Sequence, residues 1–297
     1  MLGMGAAVWA QGAGAAHREF QISLAGWSLH RSVGEGEGQI AQLDMPQLAR
    51  DEFGIDAIEL VNTMLASTEP AYVDRLAKNA ADRGVRFLLI MVDREGALAS
   101  PDPGERDEAV RRHAAWLDIA AGLGCHSIRV NWHGAEAAEA KDPVARRALI
   151  ERSTGAFRAL CEQGDSKGLN VLVENHGGPS SYPEAMVELM EAVGHERFGT
   201  LPDFGNFPDD VDRYGAVDSL MSHAKAVSAK CIDFDDETGR ETTMDYERLM
   251  EIVVDKHGYH GHIGIEYGGN RLSEFDGIKA CKRLLERLRR AGAGGAA

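Results

Sequence analysis

Residues 171–178 read Val-Leu-Val-Glu-Asn-His-Gly-Gly and join a hydrophobic run to groups that can do chemistry. Three β-forming residues lead into Glu174, Asn175 and His176, and two glycines then let the backbone turn. Burying an ionised carboxylate without a partner is costly, so such groups usually pair with one another, with a metal or with a substrate. The segment therefore predicts a functional site at the end of a buried strand.

Two other carboxylates, Asp203 and Glu266, also follow apolar runs. Together with Glu174 they would place three like charges at one site, and a divalent cation is the simplest way to hold such charges together. Oxygen ligands, with or without an imidazole, suit one Mn²⁺, Mg²⁺, Co²⁺ or Zn²⁺ ion. The alternative is that each acid pairs with Lys230, Arg129 or a helix N-terminus.

The elements that carry these residues repeat in one rhythm from Phe20 onward. A helix-like stretch closes on a glycine, which supplies the left-handed residue that ends a helix, and an apolar run follows. The predicted strands are Gln21–Ala25, Ile55–Val61, Val85–Val92, Ser127–Val130, Val171–Val173, Phe198–Leu201, Ala226–Ile232 and His262–Ile265. Predicted helices between them include Ala71–Arg83, Glu105–Leu123 and Val144–Glu162.

Eight strands that alternate with helices predict an α/β fold, a single (β/α)₈ TIM barrel. A doubly wound open sheet is the alternative. No Gly-x-Gly-x-x-Gly or Walker loop follows any predicted strand, which disfavours the nucleotide-binding forms of that sheet. No domain boundary is evident inside the barrel.

We divide the chain into a barrel domain of residues 20–290 and two tails, 1–19 and 291–297. Residues 1–16 of the first tail are mostly small and apolar and end in Gly-Ala-Ala before His17. They resemble the end of a secretory signal that lacks its basic start. The protein would then be exported to the periplasm, and a disordered tail on a cytoplasmic protein is the alternative. The Ala/Gly-rich C-terminal tail is expected to be disordered.

Charge and composition narrow the classes of partner. The chain has 297 residues, of which 44% are hydrophobic, and 32 basic against 47 acidic residues give a net charge of -15. This balance disfavours nucleic acid or an anionic membrane as the main partner, because both are bound through clustered Lys and Arg. The sequence contains no apolar run of about 20 residues, which is the length that a transmembrane helix needs. The four cysteines are scattered and are predicted to be small core residues rather than a zinc or disulfide framework.

In a (β/α)₈ barrel the catalytic face lies at the carboxyl ends of the strands. Nearly every predicted strand ends in polar or aromatic side chains, more than a barrel used only as a scaffold would need. Along the chain these are Trp27, Ser28, His30, Glu59, Asn62, Asp93, Arg94, Arg129, Asn131, Trp132, His133, Glu174, His176, Asp203, Asn206, Ser228, Lys230, Asp233 and Glu266. Their convergence predicts one polar site at the mouth of the barrel.

Four motifs carry a family resemblance. Glu-Asn-His-Gly-Gly at 174–178, Leu-Pro-Asp-Phe-Gly-Asn at 201–206, Lys-Ala-Val-Ser-Ala-Lys at 225–230 and Gly-Ile-Glu-Tyr at 264–267 resemble the sugar phosphate isomerase/epimerase family of xylose isomerase-like TIM barrels. The resemblance spans most of Phe20–Leu288. That group includes ketose 3-epimerases, inosose dehydratases and hydroxypyruvate isomerases, so the resemblance implies a metal-dependent enzyme that acts on a carbohydrate.

The resemblance also implies ligands for the metal. The family's glutamate, aspartate and glutamate on strands five, six and eight correspond to Glu174, Asp203 and Glu266. Its histidine on strand seven corresponds to Ser228, which is a poor ligand. The site would then have three protein ligands and water, or it would use His176 instead. The alternative for His176 is that it orients Glu174 without touching the metal.

In the ketose epimerases that the chain resembles, two glutamates flank the substrate. Glu174 and Glu266 would accordingly exchange a proton with a carbon next to a carbonyl, through an enediolate that a cation stabilises. If the proton returns to the opposite face of that carbon, the protein is an epimerase. If the proton moves to the neighbouring carbon, the protein is an isomerase. Loss of a β leaving group from a keto-glycoside or inosose would make it a lyase or dehydratase. The alternative hypothesis is a non-catalytic barrel that only binds carbohydrate. It is suggested by Ser228, a poor metal ligand at the position of the family's histidine.

The remaining residues at the mouth are expected to contact a small carbohydrate. The predicted substrate-binding residues are Asn206, Lys230, Ser228, Arg129, Asn131, Trp27 and His133. Arg129 and Asn131 alternate with apolar residues and should therefore face the same side of their strand. For Lys230 the alternative is a structural ion pair with the acids. The sequence does not name the sugar or its phosphorylation state, and it leaves a homo-oligomer open.

Overall fold

The hydrophobic runs of the sequence form eight parallel strands in a computed structural model that describes residues 18–291. The strands are β1 Gln21–Ala25, β2 Ala57–Val61, β3 Arg86–Val92, β4 Ser127–Val130, β5 Asn170–Glu174, β6 Phe198–Leu201, β7 Val227–Cys231 and β8 His262–Tyr267. Every predicted strand is present, with bounds that agree or differ by one or two residues. The predicted signal or disordered tail before residue 18 and nearly all of the predicted C-terminal tail lie outside the described residues.

Helices connect the strands. They are α1 Met45–Phe53, α2 Pro70–Asp82, α3 Pro103–Gly122, α4 Ala137–Lys141, α5 Pro143–Asp165, α6 Pro183–Val193, α7 Arg213–Met221, α8 Tyr246–Met250, which continues as a π-helical turn over Glu251–Lys256, and α9 Glu274–Ala291. Short 3₁₀ helices span Gly26–Leu29, Gln42–Asp44, Asn62–Met64 and Gly178–Ser181. Asp102 and Asp142 cap α3 and α5 by accepting bonds from backbone N–H groups of the first turn. Among the described residues, no helix is long and apolar enough to cross a membrane.

The strands form one closed sheet. Their hydrogen-bonded order is β6-β5-β4-β3-β2-β1-β8-β7. The two ends meet through single bridges that join Thr200 to Ala224 and Asp203 to Ser228. This arrangement confirms the predicted (β/α)₈ barrel and excludes the doubly wound open sheet. The last bridge lies at the carboxyl ends of β6 and β7, so the closure of the barrel places Asp203 at its mouth.

Side chains alternate between the two faces of each strand. On the outer face, Val171 and Val173 pack into the main hydrophobic core. On the inner face, Leu172 belongs to a smaller apolar cluster that includes Leu89 and Leu201. Because Glu174 follows Leu172 by two residues, it shares the inner face and points into the barrel above this cluster.

A buried polar pair also lies inside the barrel. Glu59 of β2 is 2% exposed, and the Ser23 hydroxyl donates a 2.6 Å hydrogen bond to its Oε1 atom. Gly264 of β8 supplies the space for this carboxylate, because a Cβ atom at position 264 would lie 2.6 Å from Glu59 Oε2. The glycine is therefore required for volume rather than for backbone conformation.

The cysteines differ from the sequence expectation. Cys125 and Cys161 are buried and free, as expected of small core residues. Cys231 of β7 and Cys281 of α9 instead form a disulfide, with Cα atoms 6.4 Å apart. Because 50 residues separate the pair in sequence, no short spacing marks it.

The space at Gly264 can be tested by adding one methyl group. We expect Gly264→Ala to lower the free energy of unfolding by about 1–3 kcal/mol, because overpacking a filled interior forces neighbours to shift. Gly155→Ala is the matched control. Gly155 lies within α5, where no side chain or neighbouring element of the described residues comes within 4 Å of the place that a Cβ atom would take, so alanine there should stabilise the protein by about 0.4–1 kcal/mol. Urea denaturation measures both, and equal effects of the two substitutions would contradict the assignment.

Candidate functional site

Three carboxylates meet at the mouth of the barrel. Glu174 ends β5, Asp203 follows β6, and Glu266 lies near the end of β8. One oxygen of each carboxylate lies within 4.8 Å of the others. Their exposed fractions are only 1%, 0% and 3%. We refer to these three residues as the acidic trio.

In each member of the acidic trio, one oxygen is engaged in short hydrogen bonds. Glu174 Oε1 accepts a 2.9 Å bond from the Asn206 side-chain amide. Asp203 Oδ1 accepts bonds of 2.8 and 2.9 Å from two backbone N–H groups of the following turn. Glu266 Oε1 accepts a 2.6 Å bond from the Lys230 ammonium. These contacts fix the orientation of all three carboxylates.

The second oxygen of each carboxylate lacks such a bond. Asp203 Oδ2 has no hydrogen-bond partner within the described part of the chain. Glu174 Oε2 lies 2.8 Å from Arg129 Nε, close enough for ionic attraction, but the two are not aligned as a hydrogen bond. Glu266 Oε2 has only a 3.5 Å contact from the Ser228 hydroxyl. Buried acceptors are rarely left without partners. One oxygen of each carboxylate lies within 4.8 Å of the others, and three oxygens at such a spacing suit a divalent cation.

Burial changes the acidity of the trio. Loss of solvent raises the pKa of Glu174 to about 7, with Glu266 adding to the rise and Arg129 opposing it. The pKa of Asp203 is also raised to about 7, by burial first, while Lys230 opposes the rise. At neutral pH these carboxyls can therefore gain or lose a proton at little cost, as expected of groups that exchange protons or bind a cation.

Lys230 is the cation on the β7 and β8 side of the trio. Burial alone would lower its pKa, but Asp203 and Glu266 outweigh burial and raise the pKa above its usual value, so Lys230 stays charged. Two glycines leave room for its stem: a Cβ atom at Gly205 would lie 2.9 Å from Lys230 Cδ, and one at Gly268 would lie 3.3 Å from Cε. The side chain is held in a narrow passage that ends at Glu266.

Arg129 is the cation on the β3 and β4 side. Its Nη1 atom lies 2.6 Å from Asp93 Oδ1, and the Asn131 amide donates a 2.7 Å bond to the same oxygen. Burial tends to raise the pKa of Asp93, but Arg129 lowers it below the usual value. Arg129 therefore bridges Asp93 and Glu174. Asp93 is absent from the predicted ligands and substrate-binding residues. Its position directly after β3 was the sequence signal that could have placed it among them.

The two histidines predicted for the site lie outside the acidic trio. Both His176 and His133 are exposed. His176 donates its backbone N–H to the Ser180 hydroxyl at 2.9 Å, and its ring has no hydrogen bond to another described residue. His176 contributes no atom to the group of convergent ligand atoms, so a metal-binding role for it stays a prediction.

The tryptophans of the mouth have different surroundings. Trp27 is 39% exposed and stacks on His30, with ring centroids 4.8 Å apart. Trp132 is buried, and its indole N–H donates a 3.0 Å bond to the Ser153 hydroxyl of α5. Trp132 therefore packs between sheet and helix, whereas Trp27 offers an accessible aromatic surface.

Glu59 lies inside the barrel and interacts electrostatically with the trio. Burial raises its pKa to about 7, the Ser23 hydrogen bond opposes this, and the charges of Glu266 and Glu174 add to it. Its Oε2 atom has no hydrogen-bond partner among the described residues. Glu59 therefore favours its neutral form in the folded protein below neutral pH.

The chain matches a known protein family. The sequence model described as "Xylose isomerase-like TIM barrel" matches residues 47–291. A comparison with curated proteins finds no match. Among solved structures, one described as a D-tagatose 3-epimerase-like protein has 18% sequence identity and a TM-score of 0.70, with 91% of this chain and 97% of that chain covered.

Two further solved structures show the same fold. The probable 3-DHS dehydratase AsbF from Bacillus anthracis has 17% identity and a TM-score of 0.68, with 90% of this chain and 99% of that chain covered. A xylose isomerase-like TIM barrel protein from Mycobacterium smegmatis, solved in complex with magnesium, has 18% identity and a TM-score of 0.65, with 93% and 98% covered. At these identities the similarity establishes the fold.

The buried carboxyl of Glu59 predicts a pH dependence of stability. Its pKa is about 7 in the folded protein against a reference value of 4.5, so between these values the folded state binds more protons and stability falls as pH rises. Between pH 4.5 and 8, the free energy of unfolding of the wild type should fall by roughly 3 kcal/mol relative to that of Glu59→Gln. Urea denaturation with chelator present measures this difference, and parallel pH profiles of the two proteins would contradict it.

Proposed function

The chain belongs to the xylose isomerase-like TIM barrel family, and from this premise we propose that it is a metal-dependent isomerase or epimerase of a small carbohydrate. The observation that carries the proposal is the acidic trio, in which each buried carboxylate keeps one oxygen free of a short hydrogen bond. The epimerases among the structurally similar proteins support the same reaction class.

Glu174, Asp203 and Glu266 would hold one divalent cation through these free oxygens. Mn²⁺, Mg²⁺, Co²⁺ and Zn²⁺ are the candidates, and a structurally similar protein solved with magnesium supports a metal of this kind. When bound, the cation would act as a Lewis acid on a carbonyl oxygen of the substrate. The Ser228 hydroxyl, beside Glu266 Oε2, is too weak a ligand to replace an imidazole and is better suited to contact a substrate hydroxyl.

Glu174 is the proposed base. Burial raises its pKa to about 7 when no cation is bound, and a cation would keep the carboxylate ionised at neutral pH, ready to take a proton from the carbon next to the carbonyl. The Asn206 amide donates to its Oε1 atom and fixes the carboxylate, so that the oxygen not bound to the cation can take the proton. Glu266 would return a proton from the opposite side, and Lys230 keeps Glu266 oriented while its remaining N–H groups can hold a substrate oxygen.

The outer part of the mouth would bind the sugar. The exposed Trp27 ring, stacked on His30, offers a flat apolar surface to one face of the substrate. His133 is exposed and can donate to a hydroxyl. Arg129 and Asn131 are already bonded to Asp93, so they would contact the substrate only through N–H groups that remain free.

A lyase that removes water is the second candidate. It is favoured by one specific feature, the charged Lys230 beside Glu266, because an ammonium can stabilise the negative charge that develops on a departing hydroxyl oxygen. One structural neighbour is described as a probable dehydratase. The two reactions differ in D₂O: an epimerase or isomerase incorporates deuterium without dehydration, whereas a lyase produces an unsaturated carbonyl with new ultraviolet absorbance.

The metal is tested by removing one ligand. After chelator treatment, Glu174→Gln should bind Mn²⁺ about 10- to 100-fold more weakly than the wild type in calorimetric titration, because one anionic ligand is lost. Asp233→Asn is the matched control. Asp233 follows β7 and pairs with Arg271 at 2.6 Å outside the trio, so its affinity for Mn²⁺ should be unchanged.

The reaction class is tested on a panel of ketoses, keto-glycosides and inososes. We expect Mn²⁺-dependent turnover with deuterium incorporation from D₂O at a carbon next to the carbonyl, and Glu174→Gln should lose at least 100-fold in kcat, since general base catalysis contributes about 10²- to 10⁴-fold. Unchanged turnover after complete metal removal would contradict the proposal. Sugar binding without metal and without turnover would instead favour a carbohydrate-binding barrel.

A further inference from the structure

Asn175 lies between two residues predicted for the site but has no assigned role. It follows β5 directly and its side chain is fully buried, with an exposed fraction of 0%. The backbone N–H of Asp203 donates a 2.7 Å hydrogen bond to Asn175 Oδ1, and Asn175 Nδ2 donates a 2.9 Å bond to the carbonyl of Asp203. One side chain therefore satisfies both backbone polar groups of a member of the acidic trio.

This contact replaces a missing part of the sheet. The ladder between β5 and β6 ends where Glu174 pairs with Leu201, two residues before Asp203. Without another partner, the backbone of Asp203 would be free on this side at the point where its carboxylate must be aimed. The Asn175 amide extends the pairing beyond the last strand residue and fixes the direction in which Asp203 leaves β6.

The same contact occurs a second time in the barrel. Asn62 follows β2, accepts a 2.8 Å bond from the backbone N–H of Asp93, and donates a 2.9 Å bond to the Asp93 carbonyl. Asp93 lies at the mouth but is not in the acidic trio. The two asparagines thus make equivalent bonds to two different acids, which separates a general structural role from a role in metal binding.

We propose that Asn175 is a positioning residue for the metal: by fixing the Asp203 backbone, it makes Asp203 Oδ2 converge with the free oxygens of Glu174 and Glu266. This inference rests on the metal site of the proposed function and adds a residue that controls its affinity. Residues that orient metal ligands typically change affinity by about 10- to 100-fold when they are removed. Asn62 should have a smaller effect, because the acid that it holds is not a ligand and reaches the acidic trio only through Arg129.

The test compares Asn175→Ala with Asn62→Ala in the full chain. Each substitution removes two hydrogen bonds to one backbone unit, so both should lower thermal stability. Asn175→Ala should weaken Mn²⁺ binding by about 10- to 100-fold in calorimetric titration, and Asn62→Ala should weaken it by clearly less. The visible absorption spectrum of bound Co²⁺, which reports coordination geometry, should change for Asn175→Ala and stay unchanged for Asn62→Ala.

A double-substitution cycle checks that Asn175 acts through Asp203. In an Asp203→Ala background, Asn175→Ala should have no further effect on Mn²⁺ affinity, because no carboxylate remains to be positioned. A full additional loss in that background would overturn the inference. Asn175→Ser replaces Asn175→Ala if the alanine variant does not fold, since the shorter hydroxyl cannot reach both backbone groups.

The outcomes separate this inference from the proposed reaction. Wild-type Mn²⁺ affinity in Asn175→Ala, or an equal loss in Asn62→Ala, would overturn the role of Asn175 while leaving the reaction intact. A loss of Mn²⁺ affinity in Asn175→Ala that clearly exceeds the loss in Asn62→Ala would support it, even if no sugar in the panel is turned over. A wild-type protein that binds no Mn²⁺ would overturn both.

Discussion

Burial of three like charges at one end of the barrel is the constraint on which the site depends. Glu174, Asp203 and Glu266 are all nearly inaccessible to solvent. Their repulsion is tolerated because each carboxylate has one oxygen anchored by a nearby donor, and because Arg129 and Lys230 flank the cluster from opposite sides. The charge of the acidic trio is only partly neutralised, since the second oxygen of each carboxylate lacks a short hydrogen bond. This remaining negative charge would let the site bind a cation.

The barrel closes at the same place. Continuous ladders join the other neighbouring strands, whereas β6 and β7 meet only through isolated bridges. One of these bridges joins Asp203 to Ser228, so a residue of the acidic trio lies at the weakest join of the sheet. Side-chain bonds from Asn175 compensate on the other side of Asp203. The fold and the site therefore rely on the same few contacts around Asp203.

Much of this could be predicted from sequence because strand-end carboxylates follow the alternation of a buried strand. Leu172 and Glu174 share the inner face, so the direction of Glu174 follows from its spacing. The same rule does not extend to His176, because β5 ends at Glu174 and the chain then turns, so two-residue spacing no longer fixes the direction of its side chain. Trp132 likewise follows the end of its strand, β4, so spacing does not fix its direction, and it packs against α5. The pairing of Cys231 with Cys281 depends on the packing of elements far apart in sequence, which no local pattern encodes.

Glu59 and Gly264 occupy one shared volume inside the barrel. During evolution neither position can accept a larger residue by itself: a larger residue at 264 needs a shorter one at 59, and a longer residue at 59 has no space. Positions 59 and 264 are therefore expected to covary among relatives. In any set of relatives, a bulky residue at one position should be accompanied by a small residue at the other.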